Sequence, residues 1–85
     1  MAYAIEFAPS AEREFGKLAR AIQARLRPHI DALAREPRPA GAKKLKGRDG
    51  FWRVRIGDYR IVYEIRDRVL LVLVVRIAHR REAYR

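Results

Sequence analysis

The chain has 85 residues and no cysteine. It therefore holds one modest hydrophobic core and excludes disulfide-stapled folds and thiolate chemistry. Twenty Lys and Arg against ten Asp and Glu give a net charge of +10, with 49% of residues apolar; such a chain folds, and suits a polyanionic partner such as nucleic acid, an acidic protein or an anionic surface.

The charge is lopsided. Residues 1–36 carry six basic and five acidic side chains, and residues 37–85 carry fourteen and five. Arginine outnumbers lysine sixteen to four, which favours planar contact with phosphate, although a GC-rich genome produces the same bias. The start, Met1-Ala2-Tyr3-Ala4-Ile5-Glu6, lacks a basic segment followed by an apolar one, so no signal peptide is expected. The longest apolar run, Val69 to Val75, is too short to span a bilayer. Together with the missing cysteines this predicts a cytoplasmic protein with no membrane partner.

In chain order, Tyr3, Ile5 and Phe7 alternate with other residues and predict a short strand over 2–7. Pro9-Ser10 opens a helix, with Ser10 as its cap and Glu12 and Glu14 in its first turn. Ile22, Leu26, Ile30 and Leu33 repeat at helical spacing and predict a second helix from Ala19 or Arg20 to about Arg35. Pro28 falls inside it, and a mid-helix proline costs about 3 kcal/mol, so a kink or break is expected there. Pro37-Arg38-Pro39-Ala40-Gly41 ends the helical half.

Lys43 to Gly50 reads as a basic loop. Phe51 to Ile56 reads as a strand with Trp52, Val54 and Ile56 on one face and Arg53 and Arg55 on the other. Gly57-Asp58 makes a tight turn into a strand from Tyr59 to Ile65. Val69 to Ile77 is apolar almost throughout, which predicts a central strand covered on both faces. The order strand, helix, helix, three strands predicts an α+β fold, with both helices on one face of a mostly antiparallel sheet. Residues 1–85 are expected to form one domain.

Arg53 and Arg55 project from one strand face roughly 7 Å apart, close to the spacing of neighbouring backbone phosphates. The alternative is a solvated strand face. Arg60 has the opposite parity to Tyr59, Ile61 and Tyr63, so it shares the face of Arg53 and Arg55 if those aromatics face the helices. Three guanidiniums on one face repel one another unless an anion is expected there; the alternative partner for Arg60 is Glu64 or Asp58. His79-Arg80-Arg81 follows the last strand and closes the site from its far side, with Tyr84 one helical turn beyond Arg80. Histidine is the residue type whose unperturbed pKa lies near neutrality, so His79 reads as a proton shuttle or as an ordinary exposed histidine, whereas His29 reads as structural. Lys43, Lys44, Lys46 and Arg48 form a mobile phosphate-contacting loop. Trp52 shares the parity of Val54 and Ile56, which assigns it to the core rather than to base stacking. No phosphate-loop, paired-carboxylate or metal-ligand spacing occurs, so no metal or cofactor is expected.

The runs Lys43-Lys44-Leu45-Lys46-Gly47, Phe51-Trp52-Arg53-Val54-Arg55-Ile56-Gly57-Asp58-Tyr59-Arg60-Ile61-Val62-Tyr63-Glu64-Ile65 and Arg76-Ile77-Ala78-His79-Arg80-Arg81-Glu82-Ala83-Tyr84-Arg85 resemble the RelE/ParE toxin superfamily of type II toxin–antitoxin modules, nearer its RelE branch. The resemblance spans the whole chain. It implies the RelE-like microbial ribonuclease toxin fold and a bacterial or archaeal, ribosome-dependent endoribonuclease (an mRNA interferase) that cuts mRNA in the ribosomal A site and stops translation. Cleavage uses the substrate's own 2′-hydroxyl, with no metal or cofactor.

The catalytic positions it implies are Arg53, Arg55, Arg60, Arg80 and Tyr84; the base is left open between His79, Glu64, Tyr84 and no protein group at all. Arg81 and Arg85 join the loop cations Lys43, Lys44, Lys46 and Arg48 in RNA binding. The best-known members have lysines where this chain has Arg53 and Arg55; arginine stays protonated, so these two act by charge alone. The resemblance also implies the ribosome, mRNA and an acidic RelB-like antitoxin as partners, with operator DNA bound only through the antitoxin. The alternatives are a gyrase inhibitor of the ParE type and an inactive binding module.

Overall fold

The alternation of Trp52, Val54 and Ile56 with Arg53 and Arg55 becomes a strand whose two faces differ in kind. A computed structural model describes residues 2–79. Strand β1 (Ala4–Phe7) is followed by helices α1 (Pro9–Gly16) and α2 (Arg20–Ala32), then by β2 (Lys43–Lys44), β3 (Phe51–Ile56), β4 (Tyr59–Arg66) and β5 (Leu71–His79). The strands form one five-stranded sheet in the order β1-β5-β4-β3-β2. β1 runs parallel to β5 and the other pairs are antiparallel. This is the α+β order expected, with one strand added: β2 falls where a loop was expected. Two residues are too short a run to carry a periodicity, and only their pairing with β3 makes them a strand. Among the described residues no helix is long and apolar enough to cross a membrane.

Both helices pack on one face. Ala11, Leu26, Ile30 and Leu33 meet Ile56, Ile61, Tyr63, Ile65, Val72, Val74 and Ile77 in a single core, with Phe15, Leu18, Ile22 and Trp52 around it. Each fully buried Leu, Ile or Val contributes about 1.5–3 kcal/mol. Tyr63 is the largest fully buried side chain; its hydroxyl donates to the Pro37 carbonyl at 2.7 Å, and burial pushes its phenol up to about 12. Nearby, Arg38 and Tyr3 both donate to the Asp67 carboxylate, at 2.9 and 2.6 Å, tying β1 and the 37–42 segment to the β4–β5 turn.

Two helix expectations need correcting. Ser10 does not cap α1, because Pro9 already begins the helix and Ala8 takes the cap position without a side-chain bond. The Ser10 hydroxyl instead donates to the Val75 carbonyl at 3.2 Å. Nor is α2 broken at Pro28: the helix runs through it and ends at Ala32 rather than near Arg35. The hydrogen bond lost is the one to the Ala24 carbonyl, and both residues are on the exposed side of the helix, where the loss of a backbone bond costs least.

The last strand departs most from expectation. It is covered by helices on one face only. Its register against β4 pairs Tyr63 with Val74 and Val62 with Arg76, so Val75 is an extra residue, a β-bulge. Before the bulge, Val72 and Val74 face the helices; after it, Ile77 does. The parity of the strand inverts, and Arg76 and Ala78 face away from the helices. The backbone left over at the bulge is taken up by α1. Ser10 bonds the Val75 carbonyl, and the Glu14 carboxylate accepts the Ile77 amide at 2.8 Å. β1 cannot serve there, since its pairing with β5 ends at Phe7 opposite Val74.

Candidate nucleic-acid interface

The helix-free face of the sheet collects the basic side chains in cross-strand rows. Lys43, Arg53, Val62 and Arg76 lie opposite one another on β2, β3, β4 and β5. The adjacent row is Arg55, Arg60 and Ala78. The β3–β4 turn that sets this register has Gly57 at φ +60°, the conformation a tight hairpin needs at its first turn position. Arg53 and Arg60 are half-buried, Arg55 and Arg76 are exposed, and the Nε of Arg60 is buried. Arg55 and Arg60 stand directly opposite, where like charges cost about 0.2–1 kcal/mol. Small Val62 and Ala78 form the floor between the guanidiniums.

The sheet thus brings together Arg53, Arg55, Arg60 and Lys43. It adds Arg76, which sequence reasoning missed because the bulge reverses the parity of the strand end; the one signal was a charge inside an otherwise apolar run. Lys44 pairs with Trp52 and so takes the helix side. Trp52 packs against the core, with the Arg38 guanidinium 5.4 Å above its ring. Lys46 and Arg48 are exposed beyond β2, and Arg48 lies 5.1 Å over the Phe51 ring.

His79 does not join the arginine face. It ends β5 opposite Tyr59, a ring on the core side, and meets it edge-to-face at 5.2 Å. Glu64 is on the arginine face, but its carboxylate is held by Arg66 at 2.9 Å. Arg80, Arg81, Tyr84 and Arg85 lie outside the described residues. Among the described residues no three His, Cys, Asp or Glu side chains cluster as metal ligands.

The basic rows continue over the sheet edge. Because β2 is only two residues long, it leaves a cleft of about 310 Å³ lined by Ala40, Gly41, Lys43, Arg53, Val54 and Arg55. A neighbouring cleft of about 320 Å³ is lined by His29, Glu36, Val54, Arg55 and Ile56 among others. His29, expected to be structural, is therefore an exposed wall of that cleft. Arg55 belongs to both clefts and marks where the basic rows reach the sheet edge.

A family model described as the ParE toxin of the type II toxin–antitoxin system parDE matches residues 5–84. The toxin RelG of Mycobacterium tuberculosis is 33% identical over 86 residues, covering 100% of this chain and 99% of that protein. The mRNA interferase toxin RelE of Escherichia coli is 28% identical over 82 residues, covering 94% of this chain and 85% of that protein. Among solved structures, the toxin of the RelBE2 toxin–antitoxin complex from M. tuberculosis superposes with a TM-score of 0.81 at 32% identity, over 93% of this chain and 99% of that one.

Proposed function

The chain belongs to the ParE toxin family of type II toxin–antitoxin systems, on the RelE-like branch of the RelE/ParE superfamily, and from that premise we propose that it is a ribosome-dependent endoribonuclease that cuts mRNA in the A site. The observation that carries this reading is the pair of cationic rows on the helix-free face, with Arg53, Arg55 and Arg60 in adjacent positions across β3 and β4.

In the proposed reaction the 2′-hydroxyl oxygen attacks the adjacent phosphorus and loses its proton. The bond from phosphorus to the 5′ oxygen breaks, and that oxygen takes a proton. The products are a 2′,3′-cyclic phosphate and a 5′-hydroxyl end. Every bonded atom comes from the RNA, so this mechanism calls on no metal or cofactor. Negative charge grows on the phosphate oxygens in the transition state, and preorganised guanidiniums are the groups that stabilise it. Arg60, half-buried and so held in place, binds the scissile phosphate. Arg53 and Arg55 lower the energy of the developing charge and abstract no proton. His79, on the helix side, is a poor candidate for the base, and by likeness to the family Arg80 supports the leaving oxygen while Tyr84 stacks on a base or takes the proton.

The same surface supports an acidic antitoxin as partner. A +10 chain attracts an acidic segment strongly, and the structural relative from M. tuberculosis is a toxin–antitoxin complex. Operator DNA is then bound through the antitoxin.

Expression of the wild type and of Arg60→Ala in growing cells, with RNA ends mapped, tests the reading. The wild type is expected to stop translation and leave codon-positioned cuts, and Arg60→Ala to lower cutting by about 10²–10³, the range for removing one transition-state donor. The ParE description of the family model favours a second reading, gyrase inhibition. DNA breaks and filamentous cells without RNA cuts would establish it in place of the nuclease.

A further inference from the structure

We infer that Arg76 is a further RNA-binding residue of this face, pairing with Arg53 to clamp the backbone phosphate next to the scissile one. The inference rests on the nuclease reading above. Its physical basis is the bulge at Val75. Without the extra residue, the alternation of Leu71, Val72, Leu73 and Val74 would turn Arg76 toward the helices, into the core that holds Val72 and Val74. An unpaired guanidinium there would be prohibitively expensive. With the bulge, Arg76 stands opposite Val62 on the open face and Ile77 takes the core position instead.

The geometry suits a phosphate. Arg53 and Arg76 flank Val62 in the same cross-strand row. They are two strand spacings apart, about 10 Å between backbones, a span that two extended arginine side chains can bridge through one phosphate placed over the short Val62. Arg76 is also the diagonal neighbour of Arg60, whose direct partner is Ala78; such neighbours are about 7–8 Å apart. That matches the step of roughly 7 Å between Arg53 and Arg55 along β3. An RNA strand crossing from the Arg55–Arg60 row to the Arg53–Arg76 row therefore meets cations at successive phosphates, with Lys43 extending the second row at the sheet edge.

The charge of Arg76 is available for this. Arg27, Arg38 and Arg66 each hold a carboxylate, whereas among the described residues Arg76 is exposed and in no ion pair. The bulge that displays it is secured by two side chains of α1, Ser10 and Glu14.

The test is single-turnover cleavage on ribosomes programmed with a defined mRNA, comparing wild type, Arg76→Ala, Arg76→Lys and Arg60→Ala at rising salt. Loss of one charge-assisted contact predicts about tenfold slower cleavage for Arg76→Ala at subsaturating protein. Its plot of log rate against log salt should be shallower by about 0.7, one single-strand phosphate contact. Arg76→Lys should recover most of the rate, with the melting temperatures of both Arg76 variants unchanged. If Arg76→Ala cuts at the wild-type rate and slope while Arg60→Ala is slowed, the inference falls and the nuclease reading stands. A slowed Arg76→Ala that also melts early, and that lysine does not rescue, points to a structural role and likewise overturns it. If the wild type makes no cuts, the nuclease reading falls and the Arg76 clamp with it.

Discussion

Replacing Glu14 by alanine tests how the strand bulge is held. Its carboxylate accepts the Ile77 amide at 2.8 Å, and Ile77 is only 3% exposed, so no water replaces the acceptor without opening the contact between α1 and β5. A hydrogen bond to a charged group contributes about 1.5–3 kcal/mol, and a stranded buried donor costs a similar amount. Alanine's better helix propensity returns only a few tenths of a kcal/mol. The expected net loss is about 2 kcal/mol, which for a domain of this size lowers the melting temperature by about 10 °C. Glu14→Gln keeps an acceptor of the same reach but no charge, and neutral bonds are roughly half as strong, so it should cost about half as much. Urea and thermal unfolding give the stability, and hydrogen exchange at the Ile77 amide gives the local effect. If Glu14→Ala unfolds within about 0.5 kcal/mol of wild type, the scatter of an ordinary surface change, or if Ile77 exchanges no faster, the carboxylate is not what secures the bulge.

Two further outcomes follow from the network around the 37–42 segment. Tyr63→Phe removes the bond to the Pro37 carbonyl and should cost about 1–2 kcal/mol. Because burial raises the Tyr63 phenol to about 12, its neutral form stabilises the fold fully below the ordinary value near 10, and that stability is lost as pH rises through 12. The loss is on the order of 2–3 kcal/mol, and the alkaline limb of unfolding should flatten in the phenylalanine variant. Asp67 behaves in the opposite sense. Its hydrogen bonds from Arg38 and then Tyr3 hold its carboxyl below the usual carboxylate value, so its contribution is present above that value and is lost as pH falls through the depressed one. Asp67→Asn should remove this acid-dependent component while leaving the neutral melting temperature only slightly lower; an unchanged acid limb would refute the assignment.

Much of the architecture is legible in the sequence because it depends on local periodicity. The alternation in Phe51–Ile56 and Tyr59–Arg66 assigns faces without any knowledge of neighbours. Once Ile61 and Tyr63 are placed in the core, Arg60 must share the side of Arg53 and Arg55. The helical repeat of Ile22, Leu26, Ile30 and Leu33 is equally local, and α2 forms through Pro28 because both ends of the lost hydrogen bond face water. The net charge and its bias toward residues 37–85 are properties of composition alone.

Only the tertiary structure decided the rest. Val69 to Val75 is apolar at both parities, so alternation carries no information about face there; register against β4 supplies it and places the bulge at Val75. That single extra residue turns His79 to the core side, away from the arginines, and turns Arg76 toward them. Lys43 joins the basic row, and Lys44 leaves it, through pairing with Arg53 and Trp52. The partners of Ser10 and Glu14 are 65 and 63 residues away along the chain. A side chain's parity along a strand is written in the sequence, but which face that parity meets depends on hydrogen bonds to strands distant in sequence, and one residue of slip reverses it.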